Sequence, residues 1–265
     1  MPPKIHVIII DYFKASRVID AVRSIRSQDQ DQSSIAITII DNSCCDKNFS
    51  TLKKIPSLDA EIIKSETNIG YVAAVNLAAR QYNNGADLIL LLNPDIIISE
   101  KSTISSLAKN FDAADCYIVG PAQINDDGST PSTVRGYPSF FALIAKRTAL
   151  INTKWGSRLV SKYLLQGFDA SQKQSVPWLQ SSCVLIRRTY WDAVSGLNPK
   201  YFLFMADIEI CKKAYELGGK VIYDPTYKVI ADGRRCSEGG IISIFKSRTL
   251  RIHLIDAIKY YASNT

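Results

Sequence analysis

The 265-residue chain contains no apolar run near the ~18 residues that cross a bilayer, so no membrane-spanning helix is expected. Met1-Pro2-Pro3-Lys4 leads straight into a strand-like run, without the apolar core or cleavage site of a secretory leader; this predicts a cytoplasmic protein. Its six cysteines (Cys44, Cys45, Cys116, Cys183, Cys211 and Cys236) form no C-x-x-C pair, which reads as reduced thiols instead of a zinc site or a disulfide framework. Also lacking are a Walker phosphate loop, a G-x-G-x-x-G turn and a G-x-S-x-G elbow. The two histidines, His6 and His253, sit in no motif, so a Ser-His-Asp site has no support. Neither internal repeats nor low-complexity segments are present.

What is present is an ordinary globular composition, 46% hydrophobic and 22% charged, at a length that suits one large domain or one domain with an appendage. The net charge of +7 suits an anionic partner but is too diffuse for nucleic-acid binding. Continuous β-branched runs at 4–11 (KIHVIIID), 35–40 and 88–92 alternate with helical spacings at 16–27, 71–82 and 103–111, and a strand is expected at 117–119. Gly70 precedes the second helix, and Asn83-Asn84-Gly85 is its stop signal. This βαβ rhythm predicts an α/β fold with a mostly parallel sheet.

The second half is less regular: a loop-rich stretch at 123–139, a basic amphipathic stretch at 140–165, strands at 184–186 and 220–223, and helices at 208–217 and 241–261.

Ligands in such sheets sit beyond the carboxyl ends of the strands. Three strands end in polar clusters: Asp11-Tyr12, Asp41-Asn42-Ser43 and Asn93-Pro94-Asp95. Asp95, after five aliphatics, suits a divalent cation that shares a substrate diphosphate, although Asn-Pro-Asp is also good turn chemistry. Asp41 suits a nucleobase or ribose, or simply a cap. The segment 68–76 (NIGYVAAVN) leads a loop into a helix whose free amides suit a phosphate. Asp207 follows an aromatic-apolar run at a helix start, where it reads either as an N-cap or as a general base of raised pKa.

Taken in order, VIIIDYFKA, IIDNS, NIGYVAAVN, LLLNPD, VPWLQSSCVLIRR, YFLFMADIEICKKAYELGGKVIYDP and a basic C-terminal helix resemble the family 2 inverting glycosyltransferases of GT-A fold, and most closely bacterial rhamnosyltransferases of O-antigen synthesis. The resemblance implies a Rossmann-like sheet flanked by helices. A single domain over 1–240 would have a nucleotide-sugar half (1–120) and an acceptor half (121–240), followed by a basic helix at 241–265. Asp11 and Tyr12 would border the nucleotide and Asp41 its base, while Asn68, Gly70, Asn76 and Asn93 would line the donor pocket. Arg234 and Arg235 would either meet the diphosphate or form a solvated surface turn. Asp95 would bind Mg²⁺ or Mn²⁺. Trp178, Gln180, Ser181 and Ser182 would form the loop under donor sugar and acceptor, Trp178 offering a stacking face, and Asp207 would be the catalytic base.

The donor implied is a dTDP- or UDP-sugar, with dTDP-rhamnose first, and the acceptor a lipid-linked oligosaccharide. Two departures stand out: Ala206 replaces the family's Glu before the base, and Ala231 falls where a His is common. Glu209 or Asp232 could compensate; otherwise the chain is a disabled relative that binds nucleotide or a partner. The basic amphipathic stretches at 146–162 and 246–259 predict either peripheral contact with the inner face of the cytoplasmic membrane or ordinary surface helices.

Overall fold

Ile5–Asp11 (β1) is buried at every residue, as a strand covered on both faces must be. It belongs to the computed structural model of the chain, which describes residues 2–29, 34–56, 59–81, 85–131, 133–146, 148–232 and 247–263. β1 lies between Ile35–Asp41 (β2) and Leu88–Leu92 (β4), parallel to both, and Glu61–Lys64 (β3) extends the parallel set beyond β2. Cys183–Arg187 (β10) then inserts antiparallel between β4 and Cys116–Asn125 (β6). Lys220–Ala231 (β11) runs parallel to β6, and its last residues pair antiparallel with Ile96–Ile97 (β5). The sheet order is β3-β2-β1-β4-β10-β6-β11-β5, with Gln174–Ser175 (β8) against β11. Val134–Arg135 (β7) and Trp178–Leu179 (β9) form a separate ribbon.

Side chains alternate across a strand, and the core divides accordingly. Ile5, Val7 and Ile9 pack with Ala15–Arg26 (α1), Asp46–Leu52 (α2) and Thr103–Ala108 (α4). Ile8 and Ile10 face the opposite layer, which holds Tyr71–Gln81 (α3), Phe140–Lys146 (α5), Lys154–Tyr163 (α6), Arg188–Ala193 (α7), Ala206–Glu216 (α8) and Arg248–Ala262 (α9). Among the described residues no helix is long and apolar enough to cross a membrane.

The α/β alternation appears where the sequence predicts it, with differences at the edges. The 103–111 helix splits into α4 and a 3-10 turn at Lys109–Asp112. β6 continues through Gly120-Pro121, because β10 pairs with it no further than Val119 and the proline's missing N–H interrupts no bond to that neighbour. β11 likewise passes Asp224-Pro225 through a register shift instead of ending at Tyr223. That shift delivers Asp232 to the site. Tyr82, the Asn83-Asn84 part of the helix stop, Arg147, Arg234, Arg235 and the first turn expected of the tail helix (241–246) lie outside the described residues.

Candidate active site

Parallel pairing of β1 with β2 sets Asp11 opposite Asp41 at the carboxyl ends of both strands. Both acids are fully buried, and Asn48 of α2 donates to each, at 3.0 Å to Asp41 Oδ1. Asp11 Oδ1 also accepts from the Lys14 amide at 2.8 Å, which shapes the turn that leaves Tyr12 half exposed. Burial holds the Asp11 carboxyl above its usual range against these hydrogen bonds, and Asp41 beside it adds to the rise. Asp41 Oδ2 is buried and has no hydrogen-bond partner among the described residues. A buried acceptor left unpaired costs ~1–3 kcal/mol, which a ligand N–H would relieve. Next to it, Asn68 Oδ1 accepts from Asn42 Nδ2 and from the Gly70 amide, both at 3.0 Å. Gly70 has φ +83°, and a Cβ there would stand 2.7 Å from both the Phe202 ring and the Phe202 carbonyl oxygen. Only glycine fits that approach.

The second cluster is made by strand register. Ala231 pairs with Ile96 across β11 and β5, so Asp232 and Asp95 follow on adjoining positions, both mostly buried. Lys14 Nζ lies 3.4 Å from Asp95 and 3.6 Å from Asp232. Burial raises the Asp95 pKa; Lys14 opposes the rise and the adjacent Asp232 reinforces it. Mg²⁺ and Mn²⁺ commonly take one or two carboxylates plus substrate oxygens, so this donor pair fits such an ion. No cluster of three or more His, Cys, Asp or Glu side chains arranged for a metal occurs among the described residues.

Asp207 is the second residue of α8. The N-cap position belongs to Met205, at φ +70°, so Asp207 is not the N-cap. Its Oδ1 accepts from the Ile208 amide at 3.0 Å, and it lines a small, otherwise mostly apolar cavity of about 10 Å³ with Ser181, Leu179 and Cys211. Burial pushes its pKa up to about 6, partly offset by the Ile208 amide and by the charge of Arg135. Arg135 lies over the Trp178 and Tyr163 rings and donates to the Tyr163 hydroxyl at 3.3 Å. Tyr71, at the start of α3, donates to the Ser181 carbonyl at 3.5 Å. The Asn93 backbone N–H donates to the Ser182 carbonyl at 2.7 Å and so joins the 180–182 loop to the end of β4.

Three expectations need correction. Trp178 offers no stacking face: it is 3% exposed, and its Nε1 donates to the Gly136 carbonyl at 2.9 Å inside the core. Asn76 does not line a pocket, because its amide is spent on both backbone groups of Leu197, at 2.7 and 2.9 Å. Glu209 does not replace the missing Glu: burial would raise its pKa, but Lys200 (2.7 Å) and Tyr201 and Asn198 (2.6 Å each) together hold it and bring the pKa down to about 2. Gln180 is exposed, Ser181 half-buried and Ser182 buried beside Gln123. Sequence reasoning missed Lys14, Asn48 and Arg135. Lys14, three residues after a strand-end acid, carried the only local signal.

The fold recurs in solved structures. Similar are a mannosyltransferase from Pyrobaculum calidifontis in complex with GDP-Man and Mn²⁺ (TM-score 0.64, 16% identity, 98% of this chain and 65% of that one) and GalNAc-T7 with UDP, GalNAc and Mn²⁺ (0.63, 15%, 89% and 46%). S. aureus TarS in complex with UDP-GlcNAc is also similar (0.60, 17%, 91% and 60%). These likenesses define a GT-A glycosyltransferase fold. The sequence profile of glycosyl transferase family 2 matches residues 6–191, and the chain belongs to that family. Among curated proteins it is 24% identical over 211 residues to the N-acetylglucosaminyl-diphospho-decaprenol L-rhamnosyltransferase of Mycobacterium tuberculosis, a match spanning 74% of this chain and 66% of that protein.

Proposed function

We propose that the protein is an inverting glycosyltransferase that moves a sugar, L-rhamnose from dTDP-rhamnose first among the candidates, to a lipid-linked or growing O-antigen-type polysaccharide at the inner face of the cytoplasmic membrane. The observation that carries this reading is Asp207: a carboxyl raised to about 6 and set beside Ser181, whose loop is tied to the end of β4. A base of that strength is ionised at neutral pH yet retains proton affinity, as general-base catalysis requires. Asp207 takes the proton of the acceptor hydroxyl while that oxygen bonds to the sugar C1. The bond from C1 to the diphosphate oxygen breaks on the opposite face, its electron pair leaves with the nucleoside diphosphate, and the anomeric centre inverts.

Tyr12, half exposed beyond β1, supports a stacking face for the base, and Asp41 Oδ2 supports an acceptor for a base N–H. Asn68 and Gly70, tied to Asn42 next to Asp41, support a donor pocket there. Asp95 and Asp232 would hold Mg²⁺ or Mn²⁺, which when bound offsets charge on the leaving diphosphate. Lys14 supplies a cation of the chain's own at the same place.

A transfer assay over a panel of dTDP-, UDP- and GDP-sugars, with Mg²⁺, with Mn²⁺ and with chelator, tests the reading. Turnover lowered about 10²–10⁴-fold in Asp207→Asn is the expected result. Nucleotide binding without turnover in any condition would favour a disabled relative, the alternative that Ala206 raises.

A further inference from the structure

We propose that α5, α6 and the outward side of α9 form one docking face for an anionic lipid bilayer; this rests on the lipid-linked acceptor read above. Each of the three helices already packs an inward face. α5 buries Ala142 and Ala145, α6 buries Val160 and Tyr163, and α9 buries Leu250, Asp256, Ala257 and Tyr260. An ordinary surface helix would then turn polar residues to water. These turn large apolar side chains outward among their basic ones: Phe141 is 59% exposed, Trp155 54%, and Ile255 and Ile258 51% and 54%.

The exposed rings are continuous. Trp155 of α6 meets Phe141 of α5 (centroids 5.9 Å apart), Phe141 meets Phe140 (5.9 Å), and Phe140 meets Tyr261 of α9 (5.5 Å). Leu254, Ile258 and Tyr261 stand at i, i+4 and i+7 along α9, so its outward apolar stripe runs into the same ring chain.

The charge that the three helices turn outward has one sign. α5 and α6 hold no acidic residue and carry Lys146, Lys154, Arg158 and Lys162, all exposed. The only acid of α9, Asp256, is fully buried and turned onto backbone amides, while Arg248 and Arg251 are exposed. Aromatic and aliphatic side chains ringed by Lys and Arg match an acyl boundary beneath anionic headgroups. Because α9 also holds the 202–204 loop ahead of Asp207, the element that contacts lipid is the one that frames the catalytic base.

The test is flotation of the full chain with phosphatidylcholine vesicles, with or without phosphatidylglycerol, at about 0.1 M and about 1 M salt. Binding confined to the phosphatidylglycerol vesicles and weakened about tenfold at high salt is expected. The triple variant F141S/W155S/I258S should lose at least about tenfold in vesicle binding while transferring sugar to a short water-soluble acceptor at the wild-type rate. Wild-type protein that transfers sugar but binds no vesicle would overturn the docking face and leave the enzyme reading intact. A triple variant that binds vesicles as wild type does would also overturn it, as would a wild-type dimer in sedimentation that the three substitutions abolish. Vesicle binding lost in the variant of a chain without transferase activity would support the face and sink the enzyme reading.

Discussion

Asp256 and the Phe204 amide, 52 residues apart in sequence, meet at 2.9 Å. The same carboxylate accepts from Phe202 and Leu203, so three successive amides converge on one buried acid. They fix the loop that ends at Met205, whose φ of +70° is rare for a side-chain-bearing residue and costs of order 1–3 kcal/mol. Asp207 is positioned through this clamp.

Asp256→Ala would leave three amides without their acceptor, at ~1–3 kcal/mol each, and should markedly lower the melting temperature. Asp256→Asn, which keeps the shape, should cost less stability yet still lower kcat more than it raises KM. Thermal melts alongside steady-state kinetics check both.

The pH dependence follows from Asp207. A base whose pKa stands at about 6 should give a kcat/KM that falls as pH drops through that value, and the acid limb should vanish with the residue. The loss in Asp207→Asn should be about 10²–10⁴-fold. Stability should move the other way. The folded pKa lies above the unfolded one, so ionising Asp207 destabilises the fold as pH rises between them; the Asn variant should be the more heat-stable at pH 8.

Asp95→Asn and Asp232→Asn should each weaken Mn²⁺ binding by the free chain, read by the loss of the free-ion paramagnetic resonance signal. Lys14→Met, by removing the resident cation 3.4 and 3.6 Å from the two acids, should strengthen it. Equal Mn²⁺ affinity in all four proteins would mean that these acids are not the ligands.

Trp178→Phe keeps an aromatic ring in the core but removes the donor to the Gly136 carbonyl and part of the buried volume, a cost of ~1–3 kcal/mol for the unpaired acceptor alone. Donor KM should be unchanged, whereas a stacking role would raise it.

The βαβ half was legible because buried parallel strands are written as unbroken β-branched runs, and the polar residues that stop them mark the sheet's active edge. Asp11, Asp41 and Asp95 could be found that way. Asn76 and Trp178 misled because a polar or aromatic residue in a motif does not disclose which way it turns; both spend their polar atoms on backbone groups far away in sequence. Asn48 and Asp256 were hidden for the same reason, as their partners are set by helix packing and not by spacing. Asp232 was visible only as a neighbour of Ala231, since its nearness to Asp95 depends on a two-residue strand that no periodicity reveals.

The register shift between Asp224 and Lys228 gives β11 a kind of vernier. Deleting one residue there would slide the end of the strand by one rung and swing Asp232 to the far side of the sheet. A lineage could thus retire its second carboxylate, or regain it, by a single-codon change in a bulge, with both acids still intact in the gene.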